Sequence, residues 1–88
     1  MTHQPQQGLL LGHARRGFRG RIQAVFVDGT AEPQAAELER RLIELGFIEG
    51  ADVEVLHEGP VGRDPIAVRI ENVTVAVRRR EAMAVFVV

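Results

Sequence analysis

The stretch Leu38-Glu39-Arg40-Arg41-Leu42-Ile43-Glu44-Leu45-Gly46-Phe47-Ile48-Glu49-Gly50-Ala51-Asp52-Val53-Glu54-Val55 changes its apolar period once, and that change decides the fold class. Up to Leu45 the apolar residues recur at helical spacing. Leu38, Leu42 and Leu45, with Ala35 above them, make one stripe, while Glu37, Glu39, Arg40, Arg41 and Glu44 occupy the other faces. Glu37 and Arg41 stand as an i,i+4 pair in the favoured order, worth about 0.3 kcal/mol. Gly46 is the residue type that a left-handed helix ending wants. Phe47 after it can fold back on Leu42, which is the apolar contact of a Schellman ending. Beyond Gly50 the period becomes two, with Val53 and Val55 alternating against Asp52 and Glu54. The reading is a helix stopped by glycine, then a strand.

Working outward, Pro33 suits a first helical turn, where its missing N–H has no helical partner. Before it, Arg21 to Val27 alternates and is rich in β-branched residues, so it reads as a strand ended by an Asp28-Gly29 turn. Leu9, Leu10 and Leu11 lead into a glycine- and arginine-rich approach from Gly12 to Gly20, with Leu10 or Phe18 closing one end of a core. Residues 1–8 carry no period and read as a disordered tail, which leaves 9–88 as the domain.

Downstream, Glu58-Gly59-Pro60-Val61-Gly62-Arg63-Asp64-Pro65 has the composition of a loop. Ile66 to Ile70 and Val73 to Val77 alternate about a Glu71-Asn72 hairpin turn. Arg78 to Ala82 breaks the pattern in one short turn, and Val85 to Val87 ends the chain. The expectation is a mainly β fold of about five short strands, with one α-helix between the first and second. The sheet is expected to close on itself as a small barrel, because so apolar a last strand would invite aggregation as an open edge. The same strand could instead pair with a second copy to make a homodimer.

Composition narrows the function. Eighty-eight residues make one domain. Eleven Arg against twelve Asp and Glu give a net charge of −1, far from the basic balance of a duplex-binding protein, and the chain has no Lys. Tyr and Trp are absent, which removes the aromatics favoured for stacking on single strands. Nucleic acid is therefore not an expected partner. Without Cys there is no disulfide, no zinc–thiolate site and no thiol nucleophile. The longest apolar run, at the C-terminus, falls far short of the ~20 residues a spanning helix needs, and the N-terminus lacks a secretory layout.

Several blocks of the chain resemble one family. Arg41-Leu42-Ile43-Glu44-Leu45-Gly46-Phe47, then Gly50, Val53 and Val55, is similar to a block of the FeoA family. So are Asp64-Pro65-Ile66-Ala67-Val68 and the run from Val75 to Ala82, in which Val77 stands where that family usually has Leu. The likeness covers roughly residues 17–88 in the right order. It implies an SH3-like small barrel and a cytoplasmic accessory protein of bacterial ferrous iron uptake. Such a protein acts on the cytoplasmic GTPase part of the membrane transporter and can sit at the inner membrane through that partner. Similar domains end metal-dependent repressors, so a metal-responsive regulatory module is the alternative reading.

The residues themselves offer little catalysis. Of His3, His13 and His57, only His57 falls in a strand, and no nucleophile motif is present, so the chain is read as no enzyme. Gly59 to Arg63 lacks the order of a phosphate-binding loop. His57, Glu58 and Asp64 surround one loop and are the candidate ligands for a transition metal ion such as iron. Asp64 has a second reading, as an acceptor of backbone N–H groups. The candidate partner-binding residues are Arg63, Arg78, Arg79, Arg80 and Phe47, because guanidinium groups form bidentate pairs with an acidic patch. Leu42, Leu45, Val53, Val55, Ile66 and Val68 are assigned to the core, and Leu45→Ala is expected to lower stability by about 2–4 kcal/mol in a thermal melt.

Overall fold

The helix ending forms as its sequence requires. In the computed structural model, which describes residues 8–26 and 33–88, helix α1 spans Pro33–Leu45. It stops at Gly46, whose φ is +107°. The Gly46 N–H donates to the Ile43 carbonyl and the Phe47 N–H to the Leu42 carbonyl, both at 2.9 Å. These are the two bonds of a Schellman motif, and they satisfy carbonyls the helix would otherwise leave open. Leu42 and Phe47 are fully buried, whereas Leu38 and Leu45 pack only partly against the core. The apolar stripe is therefore centred on Leu42. The expected Glu37–Arg41 pair gives way to an Arg40–Glu37 contact at 3.1 Å, while Arg41 reaches across to Glu81.

Among the described residues six strands form one antiparallel sheet. They are β1 (Leu9–Leu10), β2 (Arg19–Val25), β3 (Asp52–Val61), β4 (Asp64–Ile70), β5 (Val73–Val77) and β6 (Val85–Val87). Their order is β1-β6-β2-β3-β4-β5, and α1 lies between β2 and β3 in the chain. The sheet ends at β1 and β5 and is not closed, which corrects the expectation of closure. The apolar last strand is protected in another way. β6 runs inside the sheet, with Val87 opposite Leu9 on one side and opposite Ile22 on the other. The extra strand is β1, two residues too short to announce themselves by alternation. The Asp28-Gly29 turn and the tail up to residue 7 lie outside the described residues.

The Glu58–Pro65 loop is also corrected. β3 continues to Val61 and β4 begins at Asp64, so the connection shrinks to Gly62-Arg63. Both turn residues have positive φ, 67° and 59°, as a tight two-residue hairpin demands. Gly59 is needed for close approach, since a Cβ there would lie 2.3 Å from the Asp64 carbonyl oxygen. Local composition signalled a loop, but cross-strand pairing absorbed it with a register shift between Glu58 and Val61. The Glu71-Asn72 turn forms as expected, with Glu71 at φ 55°.

The core follows the alternation. Val53 and Val55 of β3, Ile66, Val68 and Ile70 of β4, Val77 of β5, and Val85 and Val87 of β6 are all buried. Leu11, in a 3₁₀ turn over Leu11–His13, is the residue that plugs the end near β1, while Phe18 packs partly against the core. Leu42→Ala is expected to lower unfolding free energy by about 2–5 kcal/mol in urea titration, because a fully enclosed side chain leaves a cavity. Leu45→Ala should lose less, and an equal or larger loss would mean the stripe faces elsewhere.

Candidate functional site

The arginine triplet Arg78-Arg79-Arg80 enters the short helix α2 (Arg79–Ala82), and its middle member turns inward. The Arg79 guanidinium donates from Nη1 to the carbonyls of Gly12 and Ala14, at 3.0 and 2.6 Å. Its Nε donates to the Arg63 carbonyl at 2.7 Å, and Nη2 to Glu58 Oε2 at 2.6 Å. The side chain is 18% exposed. A planar five-donor fork can serve carbonyls and a carboxylate at once, which an ammonium cannot do with fixed geometry. Arg79 therefore joins the Leu11–His13 turn to the β3–β4 hairpin rather than reaching for a partner.

The acidic residues nearby are committed to the same framework. Glu58 Oε2 also accepts from Arg15 Nε at 3.3 Å. Asp64 Oδ1 accepts the Arg79 N–H at 2.9 Å, so its second reading, as a backbone acceptor, describes its bond. Glu81 Oε1 accepts the Arg78 N–H at 3.0 Å, three residues back, while its other oxygen meets Arg41 of α1. Gly12 permits the close seat of α2, because a Cβ there would stand 2.4 Å from the Arg79 carbonyl oxygen.

This arrangement sorts the candidate residues. Arg63, Arg78 and Arg80 are exposed, and among the described residues no carboxylate forms an ion pair with them. Arg79 bonds the Arg63 carbonyl, and Arg78 and Arg80 are its chain neighbours. Phe47 is fully buried, and its ring packs in the core. The candidate metal ligands are not assembled. His57 is exposed, Glu58 is held by two guanidinium groups, and Asp64 is held by a backbone N–H. Among the described residues no three His, Asp or Glu side chains are grouped to hold a metal ion.

Sequence reasoning did not separate Arg79 from its two neighbours. The available signal was Glu81, placed three residues after Arg78 as in a capping box, which marks a helix start and so gives the triplet an inside and an outside. Charge ladders elsewhere are solvated. Arg69 and Arg19 flank Glu54 at 2.6 and 3.6 Å, and Arg21 meets Asp52 at 3.5 Å. Pairs of this kind contribute little each.

Comparison with known proteins adds to this geometry. The FeoA domain family profile matches residues 9–88. The FeoA protein of Chlorobium tepidum is 34% identical with a TM-score of 0.70, over 90% of this chain and 68% of that one. The FeoA of Stenotrophomonas maltophilia, solved with zinc and described as a procaryotic SH3 domain protein, is 31% identical with a TM-score of 0.69, over 88% and 86%. A manganese-dependent transcriptional repressor is 25% identical with a TM-score of 0.73, over 92% of this chain but 41% of that one. No curated protein matches the chain. Among the described residues no helix is long and apolar enough to cross a membrane.

Arg79→Met is expected to lower stability by about 2–4 kcal/mol in urea titration, because carbonyls and a carboxylate lose their donors together. Arg79→Lys should recover only part of that loss. An unchanged midpoint for Arg79→Met would show that the fork carries no structural weight.

Proposed function

The chain belongs to the FeoA domain family, and from that premise we propose that it is a cytoplasmic accessory protein of ferrous iron uptake, docking on the GTPase-bearing cytoplasmic part of a membrane iron transporter. The family comprises accessory proteins of ferrous iron transport rather than enzymes. One observation supports docking above the others: Arg63, Arg78 and Arg80 stand exposed around an immobilised Arg79. A guanidinium on a fixed backbone loses less freedom on binding than one on a mobile loop, and it pairs in bidentate fashion with carboxylates. The surface therefore suits an acidic patch on a protein partner. Position at the inner membrane would follow from the partner.

A second reading has its own support. The likeness to the manganese-dependent repressor covers most of this chain, which favours a regulatory module working beside a DNA-binding domain. In that role the arginine face would contact a neighbouring protein domain rather than nucleic acid, in keeping with the net charge of −1.

Titration against the soluble cytoplasmic domain of a ferrous iron transporter, with and without guanine nucleotide, separates the two. Saturable binding that weakens about tenfold or more in an Arg78→Glu/Arg80→Glu variant, with a steep salt dependence, supports the accessory role. Arg79 is left intact so that the fold is unaffected. A folded protein that binds in no nucleotide state, yet binds an isolated repressor DNA-binding domain, would replace this reading with the regulatory one.

A further inference from the structure

Away from the arginine face, the corner that follows α1 leaves large apolar side chains in solvent. Ile48 is 52% exposed and Val73 57%. With Leu45 and Ile70 they line a groove of about 500 Å³, whose charged lining residues are Glu49 and Glu71. Beyond Ile48 a second hollow of about 330 Å³ is lined by Val25, Ile43 and Phe47, again with Glu49 and with Glu39. Among the described residues no arginine lines either hollow, in a chain that carries eleven. Scattered apolar residues on a surface need no explanation, but a grooved apolar strip with a rim of one sign does.

From this strip we propose a second docking surface, one that receives a cationic amphipathic helix of a protein partner. The apolar face of such a helix fills hollows on either side of Ile48, while its Lys or Arg residues meet Glu39, Glu49 and Glu71. Charge complementarity selects this occupant. An anionic lipid surface would meet carboxylates at the rim. A second copy related by a twofold axis would set like acidic rims against each other, since such an interface uses the same patch twice. The surface is also held in place before binding. Ile48 donates to the Gly46 carbonyl at 2.8 Å and accepts from Ala51 at 3.1 Å, and the Gly50 N–H is tied to the Ile22 carbonyl of β2 at 2.8 Å. The groove shares no lining residue with Arg63, Arg78 and Arg80, so this inference stands apart from the proposed role of that face.

The probe is a synthetic ~14-residue Leu/Lys peptide, roughly four helical turns long, titrated into the intact chain and followed by amide chemical shifts. A Leu/Glu peptide of the same pattern is the control. The proposal requires saturable shifts at Ile43, Ile48 and Val73 with the Leu/Lys peptide and none with the Leu/Glu peptide. Ile48→Ser and, separately, Glu49→Lys should each weaken binding about tenfold; both positions are exposed, and an unchanged melt confirms folding. The Arg78→Glu/Arg80→Glu variant should bind the peptide as the native chain does. Equal binding of both peptides, shifts confined to other residues, or a dimer in sedimentation that Ile48→Ser abolishes would each overturn it.

Discussion

The Arg79 guanidinium holds together segments that are 65 and 67 residues apart in sequence, as well as the hairpin between β3 and β4. The Leu11–His13 turn is only three residues long and leaves carbonyls that its own backbone does not satisfy. A part-buried carbonyl without a donor is costly, so the fork at Arg79 does more than add attraction. It makes the N-terminal segment tolerable where it lies. From that seat Leu11 becomes a fully buried plug, and Leu9 and Leu10 reach β6 to cover its outer edge. The unclosed sheet therefore keeps its most apolar strand away from solvent pairing, which is the hazard closure would otherwise have removed.

The same interaction determines what is left for partners. With Arg79, Glu58 and Asp64 committed to the framework, Arg63, Arg78 and Arg80 are the arginines of that region left exposed. The opposite chemistry occurs at the corner after α1, where apolar side chains are rimmed only by glutamates among the described residues. A small domain with two faces of unlike character is suited to joining two protein surfaces.

Much of the candidate site was visible in the sequence as composition but not as assignment. Arg63, Arg78 and Arg80 could be named because charged residues in turns are generally exposed. Arg79 could not be told from its neighbours, because its role depends on carbonyls contributed by Gly12 and Ala14, far away in sequence. His57, Glu58 and Asp64 looked like one ligand set because they crowd a short stretch. In the paired hairpin His57 is instead exposed, and Glu58 and Asp64 are both already bonded to Arg79. Phe47 was assigned to two roles, and its burial supports the packing one.

What the sequence determined by itself rests on neighbours a few residues apart, although the Glu37–Arg41 pair expected on the same grounds gave way to other partners. The helix stripe, its glycine stop, the Schellman bonds and the alternation of β3 to β5 all follow from local periodicity and backbone freedom. Only the tertiary structure decided the rest: the seat of β6 between β1 and β2, the loop drawn into a two-residue hairpin, and the inward turn of Arg79. Those features depend on contacts between distant segments. Their stability comes from satisfying backbone groups and excluding water on both sides of a contact, and a local stretch of sequence specifies only one of those sides.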